Sequence, residues 1–499
     1  MESFWIKSQK NISSSGTLSQ DKHTDVCIIG GGMFGIATAY YLLKQGKRVI
    51  VLEKEEIGSK ATGHTTAKIT SQHGAIYAYL VDKYGVDFAK KYWMANENAL
   101  HDIKQIVAEN GIECGLEEQE NYVYAVTEDE EEKIEKEYEA LRKITDKVEL
   151  VTETYLPFEV KSAVKIKEQA QFHPLQYLNG LANKILELGG EIYTNSDCED
   201  VKKEKDEYLC QVGKYTVHAK NVVMATHYPF LIVPGFYFAK MYQASSYVIG
   251  VDTKTDLFPG MYIRASSPVL SFRTVEDNGK RILLLGGAGH KTGKAVSEEE
   301  TYGVLEEEAR KLFPEAEILY KWSTRDCITL DKIPYIGEFS AMMPHVYVGT
   351  GFNKWGMTSS HVAAKIVSDK ILEKVNPFEE VFEATRMHPI VNKDEVKNMV
   401  SDTVKAQVKE RVKEENLTIE EMNLGTGGIV EIEGDKVGVY KDENGKLFAI
   451  KPVCTHLGCM LEWNGADKTW DCPCHGSRFS YDGKNLYDPA NKNLEKINI

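Results

Sequence analysis

Long apolar runs are missing from this 499-residue chain, and no stretch approaches the roughly 20 apolar residues that a membrane-spanning helix needs. The opening "MESFWIKSQKNISSSGTLSQDKHTD" lacks the charged-then-apolar plan of a secretory signal. A basic excess is missing too. The chain has 60 Lys and Arg against 75 Asp and Glu, a formal net charge of −15, which argues against nonspecific nucleic-acid binding. Cysteine is sparse over most of the length. Cys27, Cys114, Cys198, Cys210 and Cys327 stand singly, as thiols of a reducing compartment do, and a cytoplasmic location is expected. With 42% hydrophobic and 27% charged residues the chain reads as globular, and its length implies about two to four domains.

What is present begins with "TDVCIIGGGMFGIATAYYLLKQGKRVIVLEKE". Asp25–Ile29 is an apolar run of strand length, Ala37–Leu43 gives a following helix its buried face, and Lys47–Leu52 reads as a second strand ending on Glu53. Gly30, Gly32 and Gly35 stand between strand and helix at G-x-G-x-x-G spacing. The first permits a tight turn, the second lets backbone approach a pyrophosphate, and the third lets helix and strand pack closely. A pyrophosphate then sits on the N–H groups of the helix N-terminus, and Glu53 is placed to accept from a ribose hydroxyl. A second G-x-G-x-x-G is lacking. In "RILLLGGAGHKTG" the glycines Gly286, Gly287 and Gly289 miss the spacing, so that segment reads as a strand and turn, and a nicotinamide donor is not expected.

FAD and NAD share the first fingerprint. At these residues the sequence resembles the D-amino-acid-oxidase-like family of FAD-dependent oxidoreductases, which includes glycine and sarcosine oxidases and dimethylglycine dehydrogenase. "GSKATGHTTAKITSQHG" places Thr62, Thr65 and Thr66 in that family's second phosphate- and flavin-contacting loop. "FHPLQYLNGLANKILELGGEIYTNSDCEDV" is similar to its helix–strand element, with Val201 where backbone contacts the adenine. "KNVVMATHYP" is similar to a strand ending in Ala-Thr-Gly, with His227 in the glycine's place. "WSTRDCITLDKIPYIGEFSAMMPHVYVGTGFNKWGMTSSHVAAKIVSDKIL" resembles the closing βα element: Asp331, Pro334 and Gly337 precede a strand at His345–Thr350, and Gly351–Met357 leads into a helix. The resemblance implies FAD, with Gly356, Met357 and Thr358 near the flavin N1–C2=O edge, where a helix N-terminus favours negative charge. His64 in "ATGHTTA" has two readings, a covalent flavin attachment as in some relatives or an ordinary loop histidine. Arg273, Tyr247, Tyr242 and His290 fit carboxylate binding or pocket lining, and equally fit structural roles. No catalytic residue is assigned.

The C-terminal stretch "CTHLGCMLEWNGADKTWDCPCHGS" concentrates four cysteines and two histidines. Cys454-x-His456 and Cys472-x-x-His475 each pair a thiolate with an imidazole, whereas structural zinc prefers C-x₂-C and H-x₃-H spacings. A Cys₂His₂ set with two bridging sulfides is that of a Rieske [2Fe–2S] centre. "CTHLGC" and "CPCHGS" resemble the Rieske loops of cytochrome bc-type complexes, and "DPANKNL" resembles their proline loop. That resemblance implies that Cys459 and Cys474 form the disulfide joining the two loops; a buried disulfide closing short loops resists cytosolic reduction. It also implies that Ser477 donates to a bridging sulfide. Phe479 stands where respiratory relatives carry a tyrosine donor, so a lower potential is expected.

The expected architecture is an α/β FAD-binding Rossmann-type domain with an α+β substrate domain, followed by a small all-β Rieske domain. The flavin portion spans 1–375, with FAD-binding parts at about 20–75, 160–235 and 322–375 and substrate parts at about 76–160 and 236–321. A connector at 376–417, with valines at four-residue intervals from Val396 to Val412, reads as an amphipathic helix, and the Rieske domain occupies 418–499. The expected function is oxidation of a small amine or amino acid by FAD, with electrons leaving through the cluster to an external carrier. Two alternatives stand beside it: reversed flow, in which an external donor reduces cluster and then flavin to reduce a substrate or activate oxygen, and a redox carrier or sensor without turnover. Oxygenases that pair a Rieske cluster with a mononuclear iron are disfavoured, because no clear two-histidine, one-carboxylate set is present.

Overall fold

The computed structural model describes residues 2–9, 11–231, 233–277, 279–386 and 418–499. The expected amphipathic connector falls largely at 387–417, outside the described residues. No helix among the described residues is long and apolar enough to cross a membrane.

The first apolar run forms β1 (Lys22–Ile29), three residues longer than the sequence suggests, followed by α1 (Met33–Leu43) and β2 (Val49–Leu52). β1 pairs in parallel with β2 and with Tyr215–Met224, which pairs in parallel with Val346–Thr350. The complete eight-stranded sheet also takes Glu191–Tyr193 on one edge and Tyr335–Glu338 on the other. Its central strands are apolar on both faces because both are covered, one by α1 and neighbouring helices and the other by the hairpin Asp200–Glu204 and Glu207–Val212 and the segment around Tyr237. α1 is buried on nearly every side, including Ile36, Ala37, Tyr40 and Leu42.

A second, nine-stranded and mainly antiparallel sheet carries the expected substrate region. Its outer pair is β3 (Met241–Asp252) and β4 (Glu317–Thr329), registered from Met241 opposite Thr329 to Asp252 opposite Glu317. β4 therefore runs through the boundary expected at 321/322, because its long register with β3 holds it in one sheet. Ser162–Gln171, expected in a flavin-binding part, also belongs to this sheet. "RILLLGGAGHKTG" lies mostly within the strand Lys280–Lys291. Beyond Thr350 the chain turns into α2 (Gly356–Ile371).

The C-terminal domain is all-β. Thr426–Ile432, Asp435–Lys441 and Leu447–Ile450 form one antiparallel sheet, and Glu462–Asn464, Thr469–Asp471, Arg478–Ser480 and Asn485–Tyr487 form another. Trp470, Phe479 and Leu461 fill the core between the cysteine loops.

Candidate functional site

Gly30 turns the chain out of β1 at φ +114°, and a Cβ there would lie 2.6 Å from the Ala225 carbonyl oxygen. A Cβ on Gly35 would lie 2.0 Å from the Gly30 carbonyl oxygen, so helix and strand meet closely only because both are glycine. Gly32 is the N-cap of α1, whose first N–H groups face a cavity of about 1560 Å³. That volume exceeds the roughly 300–1,000 Å³ of ordinary ligand pockets and suits a dinucleotide with a further small molecule beside it. Glu53 lines the cavity and accepts from the Gly31 N–H at 2.6 Å and the Glu55 N–H at 2.9 Å. Burial raises its pKa, and these two donors partly offset the shift.

The other expected flavin contacts divide. Thr65, Thr66, Gly356 and Met357 line the cavity. Thr358 does not. Its hydroxyl donates to the Thr70 carbonyl at 3.1 Å and lies 3.0 Å from His73 Nε2, so it ties α2 to a neighbouring loop. Val201 is also off the wall: it packs in the core of its hairpin, and Asp197, Cys198 and Glu199 border the cavity instead. His64 is not on the wall either. Its Nδ1 lies 2.8 Å from the Lys60 carbonyl oxygen, which favours the ordinary-loop reading. Arg273 is fully enclosed and donates to the carbonyls of Thr66 and Ala67 at 2.8 Å, a structural role that holds the flavin loop. Burial lowers its pKa to about 9. Tyr242, Tyr247 and His290 do line the cavity.

Sequence reading missed two charged groups. Asp326 and Lys354 both face the cavity. No described residue hydrogen-bonds the Asp326 carboxylate, and burial raises its pKa to about 6, partly offset by Lys354 and Arg325. Lys354 is open to the cavity but walled elsewhere by protein; burial lowers its pKa, and its Nζ donates to Ser246 Oγ at 2.5 Å. Its backbone is left-handed, φ +74°, after Asn353 at φ +51°, whose side chain is pinned by the Thr329 N–H at 2.8 Å. Two consecutive left-handed residues aim the lysine, and nothing in the local sequence advertises that.

In the C-terminal domain Cys454 and Cys472 are buried neighbours, and their interaction lowers the pKa of Cys454 and raises that of Cys472. The rings of His456 and His475 lie 5.0 Å apart. Both ring nitrogens of His456 and Nδ1 of His475 are buried without a hydrogen-bond partner, as imidazoles awaiting a metal are. Cys472 Sγ is within 4.8 Å of both Cys459 and Cys474, but those two form a disulfide and so offer no thiolate. Two thiols and two free imidazoles remain, a donor set that fits a [2Fe–2S] cluster. Ser477 Oγ accepts from the Ala490 N–H at 3.0 Å, and the serine lies near enough to Cys454 to help lower its pKa.

One sheet joins the two sites. Along β3, Tyr242, Ala244, Ser246 and Val248 line the flavin cavity, as do Thr324, Asp326 and Ile328 of β4. Gln243 and Tyr247 of β3 and Ser323 and Arg325 of β4 reach the Rieske domain. Gln243 Nε2 donates to the carbonyls of His475 at 3.1 Å and Asp488 at 2.8 Å, and Tyr247 Oη accepts from Asn464 at 3.2 Å. From β4, Ser323 and Arg325 donate to Asp467 at 2.8 and 3.1 Å. Side chains largely alternate across a strand, so one sheet layer stands between the cavity and the cluster loop that Gln243 holds. Asn485 to Asp488 of the Rieske domain also reach the cavity rim.

The FAD dependent oxidoreductase family matches residues 25–370, and the Rieske [2Fe-2S] domain matches residues 416–498. The Bacillus subtilis (strain 168) protein YhfW, named for its Rieske 2Fe-2S character, is 38% identical over 498 residues, covering 100% of this chain and 98% of its own. Among solved structures, glycine oxidase from Geobacillus kaustophilus superposes with TM-score 0.61 at 22% identity, covering 74% of this chain and 100% of that one. L-proline dehydrogenase from P. horikoshii gives TM-score 0.62 at 18% identity, covering 73% and 98%. FAD and a [2Fe–2S] cluster are the cofactors that these two domains bind. The chain belongs to the FAD dependent oxidoreductase family and carries a Rieske [2Fe-2S] domain at its C-terminus.

Proposed function

We propose that this protein is a dehydrogenase that oxidises a small amino acid or amine at the carbon beside nitrogen and passes the electrons through its own Rieske domain to an external carrier. The observation that carries the reading is the shared sheet, whose β3 and β4 line the flavin cavity and also hold the Rieske domain, β3 at the His475 loop and β4 at Asp467. Bound in these sites, FAD supplies a two-electron acceptor and the cluster a one-electron acceptor. Gly30, Gly32, Gly35 and the start of α1 would hold the pyrophosphate; Gly356 and Met357, at the start of α2, would meet the flavin edge. Cys454, His456, Cys472 and His475 would hold the cluster.

The cavity favours a substrate with both charges. Asp326 suits an ammonium and Lys354 a carboxylate, and both stand on the cavity wall. The fold neighbours named for glycine oxidase and L-proline dehydrogenase act on molecules of that kind. His227 and His290, held neutral by burial, are suited to shaping the wall and not to adding charge.

The test is an anaerobic panel of glycine, sarcosine, L-proline and the matching amines, with flavin absorbance and the EPR signal of the reduced cluster followed together. Bleaching by one compound followed by the cluster signal supports the reading. A signal raised only by dithionite or reduced ferredoxin, with flavin following, reverses the current. Peroxide formed in step with substrate loss makes the protein an oxidase.

A further inference from the structure

Gln243 stands where the shared sheet and the iron–sulfur loops meet. Its sequence neighbours Tyr242 and Ala244 line the flavin cavity, while its own side chain points the other way and is 2% exposed. Its single amide nitrogen serves two carbonyls, that of the ligand-loop residue His475 and that of Asp488 in the proline loop. One residue of the cavity wall therefore ties together two separate loops around the cluster. The contact is tight from both sides. A Cβ on Gly476 (φ +82°) would come within 2.6 Å of Gln243 Cβ, and one on Gly293 (φ +88°) within 2.2 Å of Pro473 Cα. Phe238 closes a further side, its ring 6.3 Å from that of His456 and 5.6 Å from that of His475. The amide is also kept at a cost, because its Oε1 is buried with no hydrogen-bond partner among the described residues. Packing alone would favour a leucine here, since an unpaired buried carbonyl is penalised.

We propose that Gln243 is a positioning residue that pins the iron–sulfur loops to the back of the flavin-cavity wall, so that the Rieske domain works docked and not as a swinging head. This rests on the reading that flavin and cluster exchange electrons within one chain. The donor geometry explains the residue type: only a side-chain amide offers two N–H bonds from one nitrogen at this reach while remaining uncharged.

The test uses the full-length protein with both cofactors bound. A deazaflavin photoreductant and a light flash reduce the flavin, and one electron then passes to the oxidised cluster, followed by its absorbance and EPR signal. Gln243→Leu, with flavin and iron content retained, is expected to slow this equilibration roughly tenfold or more, the order of loss that misplacement by a fraction of an ångström to ~1 Å brings. Gly293→Ala, which changes no residue of the cluster loops but drives a Cβ against Pro473 at the same seam, is expected to do likewise and covers the case in which Gln243→Leu loses its cluster. Wild-type rates in both variants, even with a lowered melting temperature, overturn the proposal. So does a wild-type rate that scales with protein concentration, since transfer would then be between molecules. The flash needs no amine, so a failed substrate panel leaves this test intact, and unaffected variants leave the substrate reading intact.

Discussion

Arg325 of the flavin domain donates from Nη2 to Asp467 of the Rieske domain at 3.1 Å, and the same carboxylate oxygen receives Arg478 Nη1 at 2.6 Å. Both guanidiniums are almost wholly buried; Asp467 is shared between them, and Arg478 also pairs with the buried Asp471. Asp467→Ala is expected to cost about 3–5 kcal/mol, because it strands the buried Arg325 without its carboxylate and leaves Arg478 on Asp471 alone. Asp467→Asn, which keeps an acceptor, is expected to cost less. Urea unfolding followed by the visible circular dichroism of the cluster measures both, and a shift of the Asp467→Ala midpoint no larger than that of a surface substitution contradicts the account.

The glycine fingerprint makes a prediction on cofactor content. A Cβ on Gly35 would sit 2.0 Å from the Gly30 carbonyl oxygen, a backbone atom that cannot yield. Gly35→Ala is therefore expected to purify with little FAD, while the cluster in its separate domain remains. Flavin and iron per polypeptide decide the matter. Equal loss of both would mean that the whole chain has unfolded.

Phe479 is completely buried in the Rieske core, in register with Trp470, and offers no hydroxyl. Phe479→Tyr is expected to raise the cluster potential. A hydrogen bond that strengthens by about 1 kcal/mol on reduction is worth roughly 40 mV for one electron. Ser477→Ala is expected to move it the opposite way. An EPR-monitored redox titration reads both shifts, and an unmoved potential in Phe479→Tyr removes the explanation.

Four enclosed histidines set an acid limit on stability. Burial lowers the pKa of His73 to about 3, and those of His173, His227 and His361 to about 4 each. The unfolded chain takes up these protons near the ordinary histidine value of about 6.5, whereas the folded chain refuses them until far lower pH. The unfolded state thus binds more protons across that window, and stability falls as pH drops from about 6.5 toward 4. His361→Gln should flatten the decline by about one proton while keeping a polar partner for Tyr177, which lies 2.8 Å from His361 Nε2. Urea midpoints at pH 7 and pH 5 for the two proteins test this.

Much of the site was legible because its chemistry demands short-range spacing. A pyrophosphate turn needs Gly30, Gly32 and Gly35 within six residues, and a two-loop cluster needs Cys454 near His456 and Cys472 near His475. The Cys459–Cys474 disulfide that the Rieske resemblance implied is formed. Contacts resting on one residue of a loose similarity fared differently. Val201 and Thr358 lie off the cavity wall, because packing of distant segments decides where such side chains point; Arg273, for which a structural role stood as an equal reading, takes that role and donates to backbone carbonyls. Asp326 and Lys354 were passed over for the same reason.

The sequence by itself determined the two cofactor domains, their order and their binding fingerprints, since each is a local pattern with one chemical use. Only the tertiary structure decided that the domains share a wall. "QASSYVIGV" reads simply as an alternating strand, and alternation states that a strand has two faces without saying what covers either. The long-range pairing of β3 with β4 set the cavity and the Rieske domain against the same two strands, and so gave Gln243, Arg325 and Asp467 roles that no local pattern contains.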